Sequence, residues 1–372
     1  STCSYLSCFF EFINYDISCY TFNAQATPVV PISPTDPGNT LAEAFDIGSL
    51  SSLQTFSDAV GSGDFNDYYK FTLDQNSQID FSLTGLTEPG QLSIFADLDG
   101  DGVFDRGEDV EFDEIRDTDS SAADRSISRT LAAGTYWARV YAYYNNQNTG
   151  YIFNAQATPV ISTNPTDPGN TLADALDIGS LSTIQTFTDV VGSLDRNDYY
   201  RFTLDEISQV NLALKGLQEP AQLNLLVDFD GDGIWDSGES IANDGVSDSS
   251  NSTAERNISR TLGPGTYGLD VWTYRDYQNT SYSLDVSAVA AAPLTTPDPG
   301  NTLTDALDIG ALSNTQSFSN FVGTFDRDDF YRFSIDQPSD LTLQLTGLDG
   351  DADIELIADT DRDGQIDSGE TL

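Results

Sequence analysis

The sequence repeats itself at a fixed interval, and that interval limits the folds open to it. "DPGNTL" begins at Asp36, Asp167 and Asp298, two steps of 131 residues. "DYYKF", "DYYRF" and "DFYRF" begin at Asp67, Asp198 and Asp329 with the same offset. A third pattern, DxDxDGxxDxGE, begins at Asp97, Asp228 and Asp359. Register kept over two periods means a tandem array of one unit. A chain of 372 residues holds two such units and most of a third.

Within a unit, apolar and polar residues alternate in short runs. In the first copy these are "LQTFSDAV", "DYYKFTL", "SQIDFSLTGL", "QLSIFADLD", "RSISRTL", "GTYWARVYAYY" and "GYIFNAQA". Gly, Pro, Asn and Asp separate them, as they separate strands. "NTLAEAFDIG" (Asn39–Gly48) reads as a capped helical turn or two. Seven or so strands without a long helix predict an all-β chain of tandem antiparallel β-sandwiches, jelly-roll-like, about 131 residues each. The Pro-rich segments "TPVVPISPTDPG" and "AAAPLTTPDPG" read as semi-stiff linkers. The expected division is residues 31–160, 161–292 and an incomplete 293–372, with residues 1–30 as a separate hairpin.

The DxDxDGxxDxGE segments have the ligand spacing of a calcium loop. Asp97, Asp99 and Asp101 stand at positions 1, 3 and 5, followed by Gly102 at 6, Val103 at 7, Asp105 at 9 and Glu108 at 12. Alternate carboxylates converge on one hard cation, Gly permits the sharp turn, position 7 offers a carbonyl, and the last Glu binds through both oxygens. The second copy offers Asp228, Asp230, Asp232, Ile234, Asp236 and Glu239; the third offers Asp359, Asp361, Asp363, Gln365, Asp367 and Glu370. A strand leads in and no amphipathic helix follows, so the expected role is a structural Ca2+ ion, one per repeat and three in all. Magnesium fits poorly, because it keeps its waters and takes fewer carboxylates. Asp36, Asn39, Asp64 and Asp67, with their counterparts in later copies, form a second candidate site per repeat; the alternative is turn capping.

"DPGNTLAEAFDIG", "NDYYKFTLDQNSQIDFSL" and the "GTYWARVYAY…GYIFNAQA" hairpin resemble the bacterial pre-peptidase C-terminal domain. The resemblance spans nearly the whole chain, in two full copies and one partial copy. It implies a secreted β-sandwich that accompanies enzymes or surface proteins and is not itself catalytic. It also implies calcium near the second candidate site. No peptidase domain stands beside these repeats.

Composition narrows the chemistry. Sixty acidic residues face 15 basic ones, a net charge of −45. Nucleic acid and anionic lipid are repelled by such a surface, whereas multivalent cations are attracted; a high-salt habitat is a competing cause. With no His, there is no Ser-His-Asp or Cys-His nucleophile and no His-ligated zinc. The two lysines, Lys70 and Lys215, lie in no phosphate-binding GxxxxGK loop. No apolar run reaches the ~18–20 residues of a membrane span. No acidic pair breaks the repeat pattern, so no catalytic site and no enzyme is expected. Cys3, Cys8 and Cys19 are the only cysteines, either free or in an intermolecular disulfide.

The termini complete the sequence-level picture. "YTFNAQATPV" at Tyr20–Val29 repeats "YIFNAQATPV" at Tyr151–Val160. On the 131-residue register, residues 1–28 fall on 132–159, the closing hairpin of a unit, while the third unit stops before its own closing hairpin. Donor-strand exchange between copies would cure both defects and give a head-to-tail homopolymer; a fragment of a longer array is the alternative. The expected protein is therefore a non-enzymatic, extracellular or cell-surface fibre subunit. Two alternatives are an accessory region of a secreted peptidase and a glycan-binding adhesin, the latter using Tyr136, Trp137, Tyr141, Tyr143 and Tyr144 against surface glycans.

Overall fold

In the first two repeats period-two alternation produces strands where it was expected. The computed structural model describes residues 36–113, 122–144, 147–162, 166–236, 238–245, 252–275, 277–291, 296–348 and 350–372. The expected hairpin of residues 1–30, with Cys3, Cys8 and Cys19, lies outside the described residues. In the first repeat the strands are β1 (Phe45–Ser49), β2 (Gln54–Gly61), β3 (Asn66–Leu73), β4 (Ser77–Thr84), β5 (Gly90–Phe95), β6 (Asp109–Asp113), β7 (Arg125–Leu131), β8 (Gly134–Ala142) and β9 (Asn148–Pro159). They form two sheets, ordered β1-β3-β8-β5-β6 and β2-β9-β4-β7.

The second repeat has the same plan. Its strands are β10 (Leu176–Ser180), β11 (Gln185–Val191), β12 (Asn197–Leu204), β13 (Ser208–Lys215), β14 (Ala221–Leu226), β15 (Ser240–Asp244), β16 (Arg256–Leu262), β17 (Gly265–Thr273) and β18 (Thr280–Ala290). The sheets are β10-β12-β17-β14-β15 and β11-β18-β13-β16.

Two strands per repeat exceed the sequence expectation. The presumed helix is a single 3-10 turn, Leu41–Glu43, and Phe45–Ser49 then runs as β1. β1 pairs parallel with β3, Phe45 opposite Tyr69, because the intervening β2 belongs to the other sheet. One parallel edge pair therefore joins an otherwise antiparallel sandwich. The second addition, β6, follows the acidic loop and pairs with β5.

The core lies between the sheets. In β4, Ile79, Phe81 and Leu83 are buried while Asp80 faces solvent. Phe81 meets Phe153 of β9 edge-on at 5.4 Å and Phe71 of β3 at 5.2 Å. Each such ring contributes about 1.5–3 kcal/mol by burial.

The third repeat differs. It contains β19 (Leu307–Ala311) and β20 (Tyr331–Ser334), paired parallel as β1 is with β3. Leu343 and Leu345 are 41% and 45% exposed, whereas Leu212 and Leu214, one period earlier, are 2% and 0% exposed. Ile354 and Val322 are exposed where Leu223 and Val191 are fully buried. The sheet orders give the reason. β8 sits between β3 and β5, and β9 between β2 and β4. Among the described residues no strand takes those two central places in the third repeat, where the inward-facing side chains named above are exposed.

Candidate metal centres

The turn "DPGN" is clipped against the first sheet by its main chain. Phe45 N donates to Pro37 O at 3.0 Å, and Tyr68 N donates to Gly38 O at 3.2 Å. Gly38 is required there: its φ is +81°, and a Cβ would lie 2.4 Å from Glu43 O. The clip brings Asp36 to Asp64 and Asp67, so that one carboxylate oxygen from each lies within 4.8 Å of the others. Asn39 braces the group, its Nδ2 donating to Asp64 Oδ1 at 3.0 Å and its Oδ1 accepting from Asn66 N at 3.1 Å.

Asp67 is the unusual member. It is fully buried, and its Oδ1 has no hydrogen-bond partner. Its Oδ2 accepts a short bond from Tyr151 of β9, whose hydroxyl lies 2.6 Å from that of Tyr69. Burial pushes the Asp67 carboxyl up to about 8; the bond from Tyr151 opposes this and the charges of Asp64, Asp58 and Asp36 add to it. An orphaned carboxylate oxygen in an acidic cluster is costly without a cation and well used with one. The residues fit a hard, oxygen-ligated ion.

The second repeat reproduces this arrangement. Asp167, Asp195 and Asp198 converge, Asp198 is fully buried with an orphaned Oδ1, and Tyr282 donates to its Oδ2. Burial holds Asp198 far above the usual carboxylate range and Asp195 at about 7. In the third repeat Asp329 likewise has an orphaned Oδ1. The tyrosines were not foreseen as site residues. Their one sequence signal is that Tyr151 and Tyr282 share a register position.

The acidic loops span the hairpin between β5 and β6 and its counterpart between β14 and β15. Asp97, Asp99 and Glu108 converge, as do Asp99, Asp101 and Asp105; in the second repeat Asp228, Asp230 and Glu239 do so. Glu108 is 5% exposed and ties the two ends of the loop together, accepting from Leu98 N at 2.8 Å and from Asp105 N at 2.8 Å. Gly100 and Gly102 donate to the two oxygens of Asp97 at 2.7 and 3.0 Å. Asp232 takes the Asp101 role, accepting from Ile234 N, and Asp236 N donates to Glu239. The side chains of Val103 and Ile234 are exposed, which leaves the main chain as the group they offer. In the third loop Asp359, Asp361 and Asp363 accept the equivalent bonds, Gln365 N donates to Asp363, and Asp367 N donates to Glu370. A strand, not a helix, follows the first two loops.

The tyrosine hairpin divides in two. Tyr136 is buried in the core. Tyr143 and Tyr144 meet edge-on at 4.5 Å, with Tyr144 44% exposed, and Arg139 lies 4.0 Å from the Tyr141 ring centre.

Fold and sites together define a class: an all-β, strongly acidic chain of repeated sandwiches with clustered carboxylates able to hold metal ions. No protein-family model matches the sequence, and no curated protein matches it. Among solved structures, the chain is similar to the pre-peptidase C-terminal domain of a collagenase from Bacillus anthracis, at 18% identity, covering 30% of this chain and 93% of that one, with a TM-score of 0.24. It is also similar to the CUB1-EGF-CUB2 domains of rat MASP-1, at 9% identity over 65% of this chain and 99% of that one, TM-score 0.20. A tandem pair of CBM22 domains from Paenibacillus barcinonensis Xyn10C matches at 9% identity over 64% and 86%, TM-score 0.19. The fold class rests on the strands themselves.

Proposed function

We propose that the chain is a non-enzymatic, extracellular, calcium-stabilised structural protein of the pre-peptidase C-terminal type, and a subunit of a head-to-tail surface fibre. Its parts are sandwiches at 31–160 and 161–292, an open sandwich at 293–372, and a donor segment at 1–30. One observation carries the assembly: Leu343, Leu345 and Ile354 are exposed at positions that are core in the preceding repeat. Among the described residues no counterpart of β8 or β9 covers them. Residues 1–28 fall on the register of β8 and β9, and Tyr20–Pro28 matches Tyr151–Pro159 at eight of nine positions. A second copy supplies them, and the contact is heterologous and non-closing.

Calcium is supported by the acidic loops and by the orphaned oxygens of Asp67, Asp198 and Asp329. Each repeat then holds an ion in its loop and a second one beside the buried Asp.

The test is electron microscopy of the chain with and without residues 1–28. The intact chain forms beaded filaments and the shortened one stays monomeric until a peptide of residues 1–28 is added. Filaments from the shortened chain would refute strand donation.

A further inference from the structure

The turn that carries Asp195, one of the second repeat's metal-site carboxylates, also carries the side chain that joins this repeat to the first. Gly192 and Asp195 close the turn with reciprocal main-chain bonds of 2.6 and 3.1 Å, leaving Leu194 at its tip. Leu194 packs on the core of the first sandwich. It reaches so close to Gly134 that a Cβ there would sit 2.3 Å from its Cδ1. The next residue, Asp195, belongs to the acidic triad, and its charge helps to push up the hydroxyl of Tyr136, a core residue of the first sandwich. A polar tether runs beside the plug: Ala133 N donates to Asn76 Oδ1 at 2.9 Å, and Asn76 Nδ2 donates to Asp189 Oδ1 at 2.6 Å.

The same joint recurs one period on. Phe325 occupies the Leu194 position, meets Tyr267 edge-on at 5.7 Å, and would lie 2.3 Å from a Cβ on Gly265. In the first repeat the position is Gly63, which has no side chain to dock.

We infer that the cation held by Asp167, Asp195 and Asp198 sets the joint between the first two sandwiches, locking the turn so that Leu194 stays seated against Gly134. This rests on the cation reading of the triad, and it adds a regulatory role to that site. With the ion bound, Asp195 and Asp198 are drawn onto one centre and the plug between Gly192 and Asp195 is held in one position. Without it, three carboxylates crowd one another beside the buried, orphaned Asp198 Oδ1, and the turn relaxes outward. The ion pair of Arg129 with Glu219, at 3.0 Å, remains as a cation-independent tether. The sandwiches then swing about it without separating.

The experiment uses the full chain with Cys3, Cys8 and Cys19 changed to Ser and spin labels on Asp80→Cys and Asn211→Cys, equivalent exposed positions in the two sandwiches. Distances are measured by pulsed electron resonance with calcium, with magnesium and with chelator, and calcium stoichiometry by titration calorimetry. The expected result is one narrow distance distribution with calcium and at least a twofold broader one with chelator. Leu194→Gly is expected to be broad in both while binding as many calcium ions as the parent. Asp198→Asn, and the more exposed Asp195→Asn should the first fail to fold, are expected to lose one ion and to be broad with calcium. A stoichiometry unchanged in both Asp variants would overturn the cation reading itself. Loss of an ion with no change in width, or a Leu194→Gly chain as narrow as the parent, would overturn the joint while leaving the site intact.

Discussion

The hydroxyls of Tyr69 and Tyr151 lie 2.6 Å apart, and Tyr151 passes its own proton toward Asp67. The two rings come from different sheets, β3 and β9, so the chain of hydroxyls crosses the core and ends on the buried carboxylate. The second sandwich repeats it with Tyr200, Tyr282 and Asp198. In each of the first two repeats one tyrosine thus ties a central strand of one sheet to the metal-site strand of the other.

Tyr151→Phe removes the donor to Asp67 and leaves both of its oxygens unsatisfied. The first sandwich is expected to lose about 1–3 kcal/mol, the usual cost of an unmet buried polar group. Calorimetry in chelator should show the transition shifted down, and Tyr282→Phe should do the same in the second sandwich. Unchanged melts would mean that the hydroxyl chain contributes nothing to stability.

Calcium in about 100-fold excess over its dissociation constant stabilises a domain by roughly 2.7 kcal/mol per site. Chelator is therefore expected to lower the melting temperature of both sandwiches by several degrees, and magnesium to restore little of it. Glu108→Gln, which weakens the loop's closing ligand, should reduce the calcium effect in the first sandwich alone. Melting curves that overlay with and without chelator would count against every ion proposed here.

Asp270 provides a pH dependence in a residue that is not among the proposed ligands. It is buried on β17, where the first sandwich has Arg139, and it accepts from Asn197 Nδ2 at 2.9 Å. Burial raises its carboxyl to about 7, although the amides of Asn197 and Asn224 oppose the shift. The folded state therefore holds the proton to higher pH than the unfolded chain. The associated stability is fully present below about pH 4 and fades as pH climbs through 7. Asp270→Asn should flatten this slope and raise stability at pH 8 by an amount on the order of a few kcal/mol. Melts of the parent and variant at pH 5, 6, 7 and 8 measure it directly.

Arg362 has a φ of +62°, in the place where the first two loops have Gly100 and Gly231 at +76°. A left-handed residue with a side chain costs about 1–2 kcal/mol, and this one brings a positive charge to an acidic ring. Arg362→Gly is expected to tighten calcium binding by the third loop about tenfold in titration calorimetry.

Much of this was legible in the chain. Ser77–Thr84 alternates so regularly that its inward residues, Ile79, Phe81 and Leu83, follow from period two. The loop ligands follow from spacing, because Asp97 to Glu108 are local in sequence. β1 and β6 were missed although "FDIGS" and "DVEFD" both alternate, because each is only five residues long and adjoins a stronger local signal, the capped turn and the acidic loop. Tyr151 was missed because its partner Asp67 is 84 residues away, and periodicity tells only that a side chain points inward. Leu194 was missed for a similar reason: a leucine in a turn shows no pattern, and Gly134 belongs to another repeat.

The sequence by itself determined the repeat, the strands with clear alternation and the order of ligands around each loop, since those properties depend on neighbours a few residues apart. Only the tertiary structure decided that β1 runs parallel to β3, that one oxygen of Asp67 is sealed away without a partner, and that Leu343 is bare where Leu212 is buried. Each depends on strands distant along the chain, and burial is set by what those strands bring or fail to bring.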